Sequence, residues 1–123
     1  MATLGNLERT IMDVLWDTGA ELSANDVRTR LAEIAAREDD GKELALTTVL
    51  TVLGRLEAKG FVRRDRDSRP HLFGPEMSRS EYMAELMHEV LGSAHDRTAV
   101  LARFVGGVSP DEAAQLRKLL DGR

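Results

Sequence analysis

Phe61-Val62-Arg63-Arg64-Asp65-Arg66-Asp67-Ser68-Arg69-Pro70-His71-Leu72-Phe73 carries four arginines within seven residues, set between two short apolar ends. Phe61 and Val62 open one strand, Leu72 and Phe73 lie on its return, and Asp67-Ser68-Arg69-Pro70 supplies the tip, a pattern that predicts a basic hairpin. Directly before it, the residues from about Thr47 to Lys59 read as a helix with Gly60 just past its end. Val49, Leu53 and Leu56 face a core with Leu50 and Val52 flanking, and Thr48, Thr51 and Arg55 form the opposite face. Threonine is a mediocre helix former, so hydroxyls at Thr47, Thr48 and Thr51 point to a use other than stability.

Two further helices precede this one. The first covers about residues 4 to 17, with Leu4, Leu7, Ile11, Val14 and Leu15 at steps of three and four and Gly19 ending the pattern. The second starts with Ser23 as N-cap and Asp26 closing an acidic capping box, with Leu22 and Val27 placed as a hydrophobic staple. Val27, Leu31 and Ile34 carry its buried stripe, and Glu38-Asp39-Asp40-Gly41-Lys42 reads as a solvated loop. Leu44 to Leu46 is the expected position of a short strand before the third helix. Three short helices followed by a hairpin predict a winged helix-turn-helix over residues 1–76, mainly α with a small β wing.

A helix with small hydroxyls suits a groove floor, where base edges accept and donate hydrogen bonds, and a basic hairpin beside it suits the uniformly negative backbone. Thr47, Thr48, Thr51 and Arg55 are therefore the candidate base readers, and Arg63, Arg64, Arg66 and Arg69 the candidate phosphate or wing contacts. At the tip, Arg66 or Arg69 could instead enter a narrow minor groove. Gly54 costs the helix about 1 kcal/mol relative to Ala, which suggests close approach of another helix or of DNA. The plainer reading of these residues is that Thr47 and Thr48 cap the helix and the arginines are solvated surface. A net charge of −4 speaks against a nucleic-acid partner only as a sum. From Arg55 to His71 six Lys/Arg stand against three Asp/Glu, while Glu81, Glu85 and Glu89 gather acid elsewhere.

Past Gly74-Pro75 the character changes. Ser78 and Glu81 form a capping box for a helix bearing Tyr82, Met83, Leu86, Met87, Val90 and Leu91. A second helix from about Asp96 carries Val100, Leu101, Phe104 and Val105 until Gly106-Gly107. Ser109-Pro110-Asp111-Glu112 then launches a last helix with Leu116, Leu119 and Leu120. Three helices with one apolar stripe each, in fewer than fifty residues, rarely bury enough surface to stand alone. Residues 77–123 are thus expected to form a helical dimerisation region through Tyr82, Leu86, Met87, Val90, Leu101, Phe104, Leu116, Leu119 and Leu120, the other possibility being that they fold back on residues 1–76 as one monomeric core. A symmetric homodimer would bind two half-sites about one DNA turn apart.

The order of elements resembles the BlaI/MecI group of penicillinase-type repressors, with the likeness strongest to actinobacterial members. It is carried by Leu7-Glu8 through Val14-Leu15-Trp16-Asp17, Ser23-Ala24, Thr47-Thr48-Val49 with Thr51-Val52-Leu53 and Arg55-Leu56, Lys59-Gly60, and the leucine-rich final helix. The resemblance implies a transcriptional repressor that occupies an operator dyad with TAC and GTA elements as a dimer. It also implies control of its own promoter and of β-lactam-resistance or cell-wall genes. The third helix of the family reads the major groove, which by position falls on Thr47, Thr48, Thr51 and Arg55; staphylococcal members carry an arginine where this chain has Leu50. Release in the family follows a membrane sensor-transducer and proteolysis in the C-terminal clasp, at an Asn-Phe bond in the best-known members. The corresponding site here is Arg103-Phe104.

Other chemistries find little footing. The chain has no cysteine, which excludes disulfides and thiolate metal sites, and no run approaches the roughly 20 apolar residues of a spanning helix. A cytoplasmic location without membrane insertion is expected. Glu85 and His88 form a Glu-x-x-His pair with His95 beyond, but a carboxylate-bridged metal site needs such a pair repeated on facing helices, so no cofactor or metal is expected. Neither a nucleophile, base and orienter cluster nor a phosphate-binding glycine loop stands out, and no enzyme activity is expected. The alternative function is a helical protein-interaction adaptor on a winged-helix scaffold, because the fold alone does not fix the partner.

Overall fold

In the computed structural model, which describes residues 4–37 and 44–122, Ser23 and Asp26 cap one another. The Asp26 N–H donates to Ser23 Oγ at 3.1 Å and the Ser23 N–H to Asp26 Oδ2 at 3.1 Å. This reciprocal cap starts α2 (Ala24–Arg37) abruptly and leaves Leu22–Ser23 extended as strand β1. The first helix, α1 (Asn6–Thr18), ends at Gly19 in the left-handed region with φ 68°. After it come α3 (Leu46–Ala58), β2 (Val62–Asp65), β3 (Leu72–Pro75), α4 (Arg79–Gly92), α5 (Arg97–Gly107) and α6 (Pro110–Asp121). The protein is mainly α with a small β wing, as the periodicity predicts.

The described residues form one three-stranded antiparallel sheet in the order β1-β3-β2. Leu22 lies opposite Phe73, and Arg63 opposite Gly74. This corrects one expectation. Leu46 begins α3 and Ala45 is its extended N-cap, so the strand expected at Leu44 to Leu46 does not form there. The third strand is Leu22–Ser23, two residues long, too short to show any alternation in the sequence. The loop expected at Glu38–Lys42 lies outside the described residues.

By internal packing the chain divides into two units, Met1–Ala84 and Glu85–Arg123. Ile11, Met12, Leu15, Val27, Val49, Leu53 and Leu56 fill the first unit and are buried, and Phe61 and Phe73 close it from the sheet side. The hydrophobic effect acts on the apolar stripes of α1, α2 and α3 together, which is why three short helices hold one another. An ion pair ties the start of α1 to the end of α3: Lys59 Nζ donates to both Glu8 carboxylate oxygens at 2.8 Å, and the Gly5 N–H to Glu8 Oε1 at 2.9 Å. Burial raises the Glu8 carboxyl, but the Lys59 and Gly5 hydrogen bonds and the charges of Lys59 and Arg55 outweigh it and hold the group below the usual carboxylate range.

The first unit extends past the expected boundary at 76/77 because the opening of α4 packs on it. Tyr82 is buried, with its ring 5.5 Å from Phe61 edge-on and 5.8 Å from Trp16. Trp16 Nε1 donates to the Met77 carbonyl at 2.8 Å, and Arg79 lies over the indole while donating to Asp17 Oδ1 at 2.8 Å. Tyr82 therefore belongs to the core of the first unit and not to a face awaiting a second copy, which corrects its place among the expected dimer residues. Its spacing with Leu86 and Val90 is the same whichever neighbour it meets.

In the second unit the balance is different. Asp96 caps α5 by accepting from the Ala99 N–H at 3.1 Å, and Ser109 and Glu112 cap α6 reciprocally with Pro110 at its first position. Yet neither α5 nor α6 has a buried residue.

Candidate nucleic-acid interface

The outward face of α3 is made of small side chains. At about 100° per residue, Thr47, Thr51, Gly54 and Ala58 align opposite the buried Val49, Val52, Leu53 and Leu56. Leu50 and Glu57 flank this stripe on one side, Thr48 and Arg55 on the other. Thr47, Thr48, Thr51, Arg55 and Ala58 are exposed, and Leu50 is also an exposed apolar side chain. A methyl group added to Gly54 would meet nothing within 4 Å, so packing against the described chain does not require glycine there.

The threonines do not serve as caps. The N-cap is Ala45, which makes no side-chain cap bond, and the Thr48 and Val49 N–H groups donate to the Ala45 carbonyl at 3.1 and 3.2 Å. Thr51 Oγ1 donates to the Thr47 carbonyl at 2.9 Å, which leaves its lone pairs and its methyl facing outward. No acidic residue occupies the first turn of α3, so the positive end of its dipole keeps its attraction for anions.

A tight stop carries the chain from α3 into the wing. Gly60 has φ 85°, and the Phe61 N–H reaches back to the Leu56 carbonyl at 2.9 Å while the Gly60 N–H donates to Glu57 O at 3.0 Å. The buried Phe61 then anchors β2, which sets the arginines of the hairpin beside the C-terminal half of α3. At the tip, the Asp65 carboxylate accepts from Ser68 Oγ at 2.9 Å and from the Asp67 N–H at 3.0 Å. The Ser68 bond and then the Asp67 bond hold that carboxyl below its usual range.

The four arginines of the hairpin have four different environments. Arg63 folds across the sheet: Nη1 donates to the Pro75 carbonyl at 2.6 Å, and Nη2 lies 3.2 Å from Glu21 Oε1. Gly74, its cross-strand partner, makes room, since a Cβ there would come within 2.9 Å of the guanidinium. Arg64 stacks over Phe73 with 4.6 Å between its guanidinium carbon and the ring centroid. Arg66 makes a two-pronged pair with Glu57, Nη1 to Oε2 at 2.8 Å and Nη2 to Oε1 at 2.9 Å. The Arg66 hydrogen bond, with the charges of Arg66, Arg64 and His71, outweighs burial and lowers the Glu57 carboxyl below its usual range. Arg69 is exposed at the tip and donates to the carbonyls of Ser68 and Arg66.

Base-reading and wing candidates thus occupy neighbouring parts of one unit, although the wing is less uniformly basic than its arginine count implies. Glu21, Glu57 and Glu76, the last with Oε1 3.7 Å from Arg63 Nη1, are the residues that sequence reasoning missed. Glu57 was the most accessible of them, since an acid following Arg55 on the flank of the candidate reading helix is conspicuous among so many arginines.

In the second unit, Met87, Val90, Leu101, Phe104, Leu119 and Leu120 are exposed, and Leu86 and Leu116 are partly buried. Arg103 and Phe104 lie within α5, both exposed. Among the described residues no group of three or more His, Asp or Glu is arranged to hold a metal ion, and no helix is long and apolar enough to cross a membrane.

The penicillinase repressor family model matches residues 4–122. The chain is 42% identical to the transcriptional regulator BlaI of Mycobacterium tuberculosis, over 98% of this chain and 84% of that protein, in both the CDC 1551 / Oshkosh and the ATCC 25618 / H37Rv strains. Among solved structures it is similar to the hsRosR-S4 complex structure with a TM-score of 0.54 at 18% identity, covering 92% of each chain. The hsRosR-S1 complex structure is similar with a TM-score of 0.52 at 18% identity, covering 92% of this chain and 95% of that one. At that identity the structures speak for the fold alone, whereas the family match and the regulator speak for descent: the chain belongs to the penicillinase repressor family.

Proposed function

We propose that this repressor-family chain acts as a homodimer on an operator dyad in double-stranded DNA, with α3 in the major groove and the wing along the backbone. As a member of the family it is a transcriptional regulator and not an enzyme. The observation that carries the reading is the outward stripe of α3, where Thr47, Thr51, Gly54 and Ala58 leave the helix slim enough for its backbone to approach base edges. Thr48 and Arg55 reach bases from its flank, and Arg63, Arg64, Arg66 and Arg69 serve the phosphates. The exposed apolar stripes of the second unit supply the clasp, with Leu86, Met87, Val90, Leu101, Phe104, Leu116, Leu119 and Leu120 meeting their counterparts across a two-fold axis. Residues 1–76 are the reading head and 77–123 the dimer-forming region, with the opening turn of α4 built into the head.

In this reading the protein is cytoplasmic and represses its own promoter and genes of β-lactam resistance or the cell wall. A membrane sensor-transducer relieves repression through a cut at Arg103-Phe104, which severs α6 from the clasp. The test is fluorescence anisotropy against the region upstream of its own reading frame and a scrambled duplex of equal length, titrated across salt concentration. Tight binding that prefers the upstream duplex is expected, with each arginine–phosphate contact adding about 0.9 to the salt slope. Thr51→Phe should erode the preference while leaving the slope nearly unchanged. Equal weak binding to both duplexes would overturn the repressor reading in favour of a protein-binding adaptor.

A further inference from the structure

We propose that Glu57 is a specificity-determining residue, a carboxylate that competes with DNA phosphate for the wing arginines. The inference rests on the DNA-binding reading above. Glu57 stands on the flank of α3 that faces the hairpin, and its carboxylate engages the Arg66 guanidinium through two hydrogen bonds of 2.8 and 2.9 Å. The same carboxylate lies 3.8 Å from Arg64 Nε, near enough for attraction and too far for a hydrogen bond. Arg64 Nε has no hydrogen-bond partner among the described residues. One acid is thus divided between two arginines, fully bonded to one and held close to the other.

Stability accounts for only part of this arrangement. The Arg66 side chain is 57% exposed, and exposed ion pairs contribute little to folding. Placing an anion among cations meant for a polyanion has a clearer consequence in binding. Carboxylate and phosphate offer the guanidinium the same two-oxygen geometry, so a phosphate can take the Nη1/Nη2 end of Arg66 only by displacing Glu57. The displaced carboxylate is then left ionised beside the DNA backbone, since an ordinary glutamate is charged at any pH suited to duplex binding.

The cost falls unequally on different duplexes. A complex without matching base contacts rests almost wholly on phosphate, and its affinity depends on recruiting every available arginine. A complex seated by α3 gains from base edges and can leave Arg66 on Glu57, with the other N–H groups of the guanidinium turned to the backbone. Glu57 therefore suppresses binding to arbitrary sequence more than binding to the operator, which is specificity by disfavouring the wrong partner.

The test is Glu57→Gln in the full-length protein, which keeps the shape and removes the charge. With the scrambled duplex, the salt slope should steepen by about 0.9 and affinity at 0.1 M salt should rise roughly eightfold, the equivalent of one added phosphate contact. Affinity for the upstream duplex should rise by about twofold or less, so the ratio between the two duplexes falls. The double variant Glu57→Gln, Arg66→Ala should lose the gain on scrambled DNA, and thermal melts of both variants confirm folding. Unchanged or weaker binding of folded Glu57→Gln to the scrambled duplex would overturn the inference, as would a gain that survives removal of Arg66. If the unaltered protein shows no preference for the upstream duplex, it is the DNA-binding reading that fails, whatever Glu57 does.

Discussion

Every buried apolar side chain among the described residues lies in the first unit, Tyr82 being the last of them along the chain, while the second unit has equally regular apolar stripes and buries none. Both regions have helices with good caps and three-to-four spacing. What separates them is what the stripes meet. In the first unit three helices and a sheet close on one another; in the second, Met87, Val90, Phe104, Leu119 and Leu120 remain exposed. Capping and amphipathicity can therefore specify a helix without specifying its neighbour, and it is the unfilled stripes of the second unit on which the proposed clasp rests.

The contrast can be broken most forcefully at Phe61. Phe61→Ala should remove about 3–5 kcal/mol from the first unit, read by urea unfolding, because the side chain is fully buried. Phe104→Ala, at a residue 49% exposed, should cost the isolated chain about 0.5 kcal/mol or less and act instead on the concentration dependence of the transition. A similarly large loss from both would erase the distinction between the regions. Next in size, Leu119→Glu with Leu120→Glu should raise the dissociation constant of the proposed dimer by about a hundredfold or more in sedimentation velocity, since like charges would oppose one another across its axis. The melting of the first unit should stay in place.

Gly54→Ala sharpens the comparison from the other side. The added methyl meets nothing within 4 Å and favours the helix, so stability should rise by about 1 kcal/mol while affinity for the upstream duplex falls about tenfold. Gains in both would mean that α3 does not approach its partner closely. The smallest effect concerns the Glu8–Lys59 pair. The Glu8 carboxyl is lowered in the folded state, so its contribution is present above the unfolded value of about 4.3 and is lost as pH falls through the lower folded value. Glu8→Gln should therefore flatten the loss of stability below about pH 5 in acid titrations followed by circular dichroism, and an unchanged acid limb would remove Glu8 from the account.

Much of this architecture was legible because its causes are local. Ser23 and Asp26 three residues apart, Gly19 and Gly60 after apolar stripes, and Ser109-Pro110 before the last helix each state a boundary in the chemistry of a few neighbouring residues. The strand at Leu22–Ser23 was not legible, since two residues have no period and their pairing with Phe73 and Leu72 is fixed by the return of a hairpin some fifty residues away. Tyr82 misled for a related reason: its spacing matches the outward stripe of α4, and only the meeting of Trp16 and Phe61 in space draws it inward. At the candidate interface the helix face could be read from period alone. The Glu21 partner of the wing could not, because it lies in the turn after α1 and reaches Arg63 only once β1 has joined the sheet.

Trp16 is the single tryptophan of the chain, and the structure sets it at the seam between α1 and the opening of α4. Its indole N–H is engaged by a carbonyl, a guanidinium covers its ring and a phenol lies beside it, so its emission has an environment unlike that of a freely solvated indole. The protein thus carries its own optical gauge of that seam. A red shift appearing before global unfolding would record the start of α4 peeling from the head, with no dye and no altered residue.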